Sequence, residues 1–197
     1  MAATTEASLQ PDSGWQWEVP DRTWTYDLFC RLPADGRYEV ITGRLVMSPS
    51  PDTEHQRVSG NLYLSLRLWA DQRDAGEVFA APYDVVLGAE DICQPDLLFV
   101  FKARSSIVTK QNIQGAPDLI IEILSPGTSR QDWKDKKIAY EQHGVLHYWL
   151  VDPNRHFLLA YRMEDGSYRE VARCQKDDVF EPEGFPDLSI PLEQVWG

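Results

Sequence analysis

The sequence predicts a mixed α/β fold, with one mixed β-sheet, a helix on each side of it and a hairpin at its N-terminal end. Three observations carry this reading. Residues 119–124, "LIIEIL", are a nearly continuous apolar run, the pattern of a strand covered on both faces. Two helical segments, 54–74 and 130–143, alternate with short β-rich segments, an order that places helices on both faces of a sheet. A composition of 43% hydrophobic and 25% charged residues over 197 residues is that of a globular chain with a well-buried core.

Residues 1–20 read as a loose arm, with Trp15 and Trp17 available to dock, and residues 21–197 as a single domain. Residues 21–36 form a short helix ending at "LPADG". "RYEVITGRLVMS", residues 37–48, is a hairpin turning at Thr42-Gly43. In 54–74, Val58, Leu62, Leu66 and Trp69 recur at helical spacing, and Gly76 lies just beyond the end. Strands are expected at 77–87, 95–101 and 118–124. The second helix, 130–143, opens on Ser129 and Asp132, which resemble a capping box, and stops at Gly144. "VLHYWLVDP" is a strand closed by Asp152-Pro153-Asn154, and "FLLAYRM" and "YREVARC" flank the turn "EDGS".

Several function classes are disfavoured at once. No apolar run approaches the ~20 residues needed to cross a bilayer. The first twenty residues lack the basic start and apolar stretch of a signal peptide. Cys30, Cys93 and Cys174 have no paired spacing, which points to free thiols in a reducing compartment, so a cytoplasmic location is expected. The net charge of −12 is concentrated at the ends, −3 in residues 1–20 and −5 in 175–197, leaving −4 for the body. A local basic face remains available around Lys102, Arg104, Lys110, Arg130, Lys134, Lys136 and Lys137, although the overall charge opposes tight non-specific DNA binding. There is no Ser/Cys–His triad pattern, no glycine-rich phosphate loop and no zinc-finger or helix-turn-helix reader.

The chemistry centres on Glu122. A carboxylate carried into a core strand costs several kcal/mol unless something pairs with it. Asp118, Ile120, Glu122 and Leu124 share one face of their strand. If 95–101 is the neighbouring strand, Asp96, directly after Pro95, converges on Glu122. Convergent carboxylates suit Mg²⁺ or Mn²⁺, with substrate phosphate completing the shell and the ion activating water. The competing reading is a glutamate satisfied by Arg, Tyr or backbone groups in a structural network. Asp118 alone suits a strand-start or capping role.

Pro95-Asp96 followed by Glu122 ahead of a helix resembles the PD-(D/E)XK nuclease superfamily. More specifically, "YEVITGRLVMSPSPDTEHQ", "QPDLLFVF", "GAPDLIIEILSPGTSRQDWKDKKIAYEQHGVLHYWLVDP" and "FPDLSIPLEQVW" resemble the Uma-two restriction endonuclease family, over about residues 24 to 196. The resemblance implies a restriction-endonuclease-like domain hydrolysing DNA with Mg²⁺ or Mn²⁺. It implies Asp96 and Glu122 as metal ligands and Lys136 as a catalytic or phosphate-neutralising base. Glu39, His55 and Asp84 fall on the family's polar positions. Glu39 and Asp84 act as ligands or hold the ligands through hydrogen bonds, and His55 serves the site, a helix cap or the core. The motif lysine two residues after the glutamate is absent, since that position is Leu124.

Lys136 can replace it. Asp132, Lys136 and Tyr140 form one helix stripe. Lys136 lies about 10 Å along the helix from Ser129 at ~1.5 Å per residue. Glu122 lies roughly 13 Å back from Pro126 at ~3.3 Å per residue. The two come level, and Lys136→Met is then expected to abolish turnover with the fold intact. The bland alternative is a surface pair of Lys136 with Asp132, worth well under ~1 kcal/mol. A homodimer is expected, because two single-cut sites related by a two-fold axis break both strands of a duplex. Exposed Trp and Tyr on residues 145–174 would supply its apolar contact. The alternative function is a non-catalytic binding or accessory domain on a nuclease scaffold.

Overall fold

The computed structural model describes residues 16–17, 24–33, 36–48, 50–125 and 130–197. The docking expected of Trp15 and Trp17 and the capping box of Ser129 with Asp132 lie outside the described residues and side chains. In chain order the elements are β1 (Gln16–Trp17), α1 (Tyr26–Phe29), β2 (Arg37–Ile41), β3 (Arg44–Ser48), α2 (Thr53–Arg73), β4 (Gly76–Ala80), β5 (Val85–Gly88), β6 (Asp91–Cys93) and β7 (Leu97–Phe101). A 3-10 segment (Lys102–Ile107) leads to β8 (Ile113–Gln114), β9 (Leu119–Ile123), α3 (Arg130–Gln142), β10 (His147–Asp152), β11 (Phe157–Glu164) and β12 (Ser167–Gln175). The chain ends in β13 (Val179–Phe180), β14 (Ile190–Pro191) and α4 (Leu192–Trp196).

The fold is mixed α/β as expected, but the strands divide between sheets. The larger sheet has the order β12-β11-β10-β9-β7-β4, the second has the order β1-β3-β2-β6-β5-β8, and β13 pairs with β14. The expected strand 77–87 is the point of division. Its first half, β4, pairs with β7, and its second half, β5, pairs with β6 and β8. Pro82 lies between the halves and has no N–H to donate to a ladder, so one uninterrupted strand cannot form there.

Helix α2 begins at Asp52, whose carboxylate accepts a hydrogen bond from the His55 N–H at 2.8 Å. Its stripe of Val58, Leu62, Leu66 and Trp69 packs on one face of the larger sheet, against Leu97, Phe99, Leu119, Ile121 and Trp149. The opposite face takes Ala139 and Tyr140 of α3 against Leu98, Ile120, Tyr148 and Leu150. The alternation is the two-residue period of a strand buried on both sides. Both tight hairpin turns carry two consecutive positive φ values, 50° and 76° at Thr42-Gly43 and 50° and 81° at Asp165-Gly166. This backbone matches the strand twist and favours glycine at the second position. The expected exposure of aromatic residues on the late strands does not hold throughout. Tyr148 and Trp149 are fully buried, because β10 is an interior strand covered on both faces.

His147, the first residue of β10, is buried at 3% exposure with its ring 5.1 Å from that of Phe185. Burial pushes its pKa down to about 4, with the Arg162 charge adding to the effect and Asp118 and Glu183 opposing it. The folded state therefore keeps a neutral imidazole where the unfolded chain, near 6.5, has already bound a proton. Stability from this residue is intact above about pH 6.5 and falls as pH drops towards 4, by about 3 kcal/mol in all. Urea unfolding at pH 7 and pH 4 should show His147→Gln losing that much less than wild type. Equal losses would refute it.

Candidate active site

The pairing of β7 with β9 builds the acidic half of the site. The strands are antiparallel with Leu97 opposite Ile121, so Asp96, one residue before β7, lies beside the end of β9. The Ile123 N–H donates to Asp96 Oδ2 at 2.8 Å. Leu119, Ile121 and Ile123 belong to the α2 side of the sheet and Ile120 to the α3 side, so Glu122 is on the α3 side.

Helix α3 meets Glu122 with two side chains one turn apart. Tyr140 Oη donates to Glu122 Oε1 at 2.6 Å, and Lys136 Nζ lies 3.2 and 3.3 Å from the two carboxylate oxygens. Lys136 Nζ is also 2.8 Å from Glu39 Oε1. Glu39 comes from β2 in the second sheet, where it accepts from the Gln94 N–H at 2.8 Å and from Ser48 Oγ at 3.0 Å. The ammonium thus joins a carboxylate of each sheet. From the first turn of α2, His55 Nε2 lies 3.1 Å from Asp96 Oδ2. Glu39, His55, Asp96 and Glu122 are all buried, between 2% and 8% exposed.

Desolvation sets the electrostatics. Burial pushes the Glu122 carboxyl up to about 7, with Asp96 and Glu39 adding repulsion and the Lys136 charge and Tyr140 hydrogen bond opposing it. Burial acts to discharge Lys136, but Glu122 and Glu39 outweigh it and raise its pKa, so the ammonium stays charged. Burial likewise opposes charging of His55, and the Asp96 hydrogen bond and charge overcome it, leaving its pKa raised.

Of the residues singled out in the sequence, Glu39, His55, Asp96, Glu122, Lys136 and Tyr140 are brought together. Asp84 stands one link away, accepting from Gln94 Nε2 and Tyr26 Oη, both at 2.8 Å, while the Gln94 N–H serves Glu39. Asp118 shares the Glu122 face but binds elsewhere, accepting from the Phe101 N–H and from Arg104, both at 2.8 Å. It ties Phe101, and Arg104 of the 3-10 segment, to the start of β9. The Asp132 side chain lies outside the described set, and the Lys136 ion pairs run inward to Glu39 and Glu122. Sequence reasoning missed Gln94 and Ser48. Gln94 adjoins Pro95-Asp96, but a backbone donor carries no residue signature.

Among the described residues, no group of three or more His, Cys, Asp or Glu side chains is gathered to hold a metal ion. The donor chemistry still fits a hard cation. Mg²⁺ needs only one or two carboxylates besides water and substrate phosphate, and Asp96 and Glu122 offer oxygens just before β7 and on the neighbouring β9.

The described elements form a mixed α/β fold that has a solved counterpart. The fold matches a solved structure titled "Crystal structure of a putative nuclease belonging to DUF820 from Anabaena variabilis ATCC 29413", with a TM-score of 0.73 and 21% identity over 87% of this chain and 97% of that one. No curated protein matches the sequence. Residues 25–193 match the Uma2 family, described as "Putative restriction endonuclease", and the chain belongs to that family.

Proposed function

We propose that the protein is a metal-dependent endonuclease that hydrolyses DNA phosphodiester bonds in the cytoplasm, with residues 21–197 forming its catalytic domain. The observation that carries this is the convergence of two buried carboxylates, Asp96 just before β7 and Glu122 on the neighbouring β9, with the Lys136 ammonium 3.2 Å from Glu122. Asp96 and Glu122 would hold Mg²⁺ or Mn²⁺, which supplies Lewis acidity at the phosphoryl group. Tyr140 and the Ile123 N–H fix the two carboxylates in place. Lys136 keeps its proton, which suits it to stabilising negative charge on the phosphate rather than to accepting a proton from water. Wild-type protein should nick or linearise plasmid DNA with Mg²⁺ or Mn²⁺ and not with EDTA. No cleavage with either ion would leave the binding-domain reading, which the loss of the motif lysine at Leu124 favours.

The proposed enzyme acts as a homodimer. With Tyr148 and Trp149 buried, its apolar contact is better supplied by Leu64 and Leu68 of α2, which are 56% and 52% exposed at i and i+4. Light scattering at micromolar concentration is expected to give twice the 22.6 kDa chain mass. A monomer mass alone would reject pairing. Among the described residues no helix is long and apolar enough to cross a membrane.

A further inference from the structure

Beside the carboxylates lies a cavity of about 420 Å³, lined by residues of α2 and β2 and by the loop after β4. Asp96 and His55 line it, so it adjoins the acidic cluster, and Arg37 brings a cation to it. Tyr63, Pro51 and Pro82 add apolar surface. Two nitrogens on lining residues, Arg37 Nε and His55 Nδ1, are buried without a hydrogen-bond partner among the described residues. His55 as a whole is 6% exposed, so an orphaned ring nitrogen there is costly unless a ligand meets it. A Cβ added at Gly60, also on the wall, would meet nothing within 4 Å, so the space beside the helix is open.

We infer that this cavity is a nucleotide subsite, in which Arg37 and His55 bind the phosphate next to the one being cut and the apolar wall receives its deoxyribose. The identity of the ligand rests on the nuclease reading above. The chemistry is specific to an anion with an apolar body. The Arg37 guanidinium is a donor to phosphate oxygen, and the His55 ring, which faces Asp96 through Nε2, joins it from Nδ1 when both ring nitrogens carry protons. The Asp96 carboxylate, which also lines the cavity, repels an anion while no metal is bound, so the bound phosphate lies at Arg37 and the side towards Asp96 is left for a metal-held reacting phosphate. Arg37 is accordingly a positioning residue for the substrate strand.

The test separates the subsite from the nuclease reading. In EDTA, thymidine 5′-monophosphate is titrated into the protein and followed by the ring ¹H–¹⁵N signals of His55. Saturable shifts are expected in wild type and in Arg67→Met, whose guanidinium pairs with Asp71 on α2. Binding should weaken at least tenfold in Arg37→Met, which removes a donor, and in Gly60→Leu, which fills the cavity without touching a charge. Unmoved His55 signals, or unchanged affinity in both variants, would overturn the subsite. Inorganic phosphate binding as tightly as the nucleotide would overturn the deoxyribose contact. A plasmid assay then reads the other claim. Nucleotide binding without any metal-dependent cleavage keeps the subsite and removes the nuclease. Cleavage with an unchanged KM in Arg37→Met removes the subsite and keeps the nuclease.

Discussion

Glu122→Gln is expected to lower metal-dependent DNA cleavage at least ~10³-fold while changing stability by only about 1 kcal/mol. Glutamine keeps the shape and an oxygen that can accept from Tyr140 and Lys136, the two donors that hold Glu122 now. It removes the charge a divalent cation needs. Stability changes little because the ionised form is already disfavoured by burial and by Asp96 and Glu39, and that repulsion is relieved. Titration with Mn²⁺ should show at least tenfold weaker binding in Glu122→Gln and in Asp96→Asn. The pH profile adds a second reading. With Glu122 at about 7, a proton competes with the metal below that pH. Wild-type Mn²⁺ affinity therefore falls by up to about tenfold per pH unit below 7, and Glu122→Gln loses that dependence. Wild-type cleavage by Glu122→Gln, or unchanged Mn²⁺ binding in both variants, would remove these carboxylates from the chemistry.

Lys136→Met is expected to destabilise the protein by about 3–5 kcal/mol at pH 8 and to reduce turnover at least ~10²-fold. Sequence position alone leads to an intact fold for this variant, and the burial of Lys136 changes that outcome. Lys136 sits 2.8 Å from Glu39 and 3.2 Å from Glu122, so methionine leaves two buried carboxylates facing each other without a cation. The deficit should shrink on acidification. Without the ammonium the Glu122 pKa rises further, and a bound proton removes the uncompensated charge once pH falls below it. Lys137→Met is the control. Its ammonium lies 3.6 Å over the Tyr161 ring, a cation–π contact worth about 0.5–2 kcal/mol with no part in the acidic cluster. Urea midpoints and plasmid turnover for the two variants measure both effects. Matching midpoints and matching turnover would return Lys136 to a surface role.

Glu122 and Asp96 were legible because each violates its surroundings, one acid inside an apolar run and one directly after a proline ahead of another. Lys136 was legible through arithmetic. The rise per residue is fixed in a helix and in a strand, so counting from the connecting loop put it level with Glu122. Its burial was not legible, since the α3 stripe that carries it is polar by composition and only the arrival of Glu39 from another sheet encloses it. The cavity at Arg37 was equally hidden, because its walls come from β2, α2 and the loop after β4.

The amino-acid sequence by itself determined the two long helices α2 and α3, the double-sided burial of β9, the apolar stripe of α2 and the pair of hairpin turns. Each of these follows from side-chain periodicity and backbone preference within a few residues. Only the tertiary structure decided that 77–87 serves two sheets, that Asp118 binds Arg104 instead of joining Glu122, and that Glu39 completes the cluster. Those outcomes depend on pairing between residues far apart in the chain. Their partners are chosen by packing and by the cost of leaving a buried charge alone, and neither is written in the spacing of any one segment.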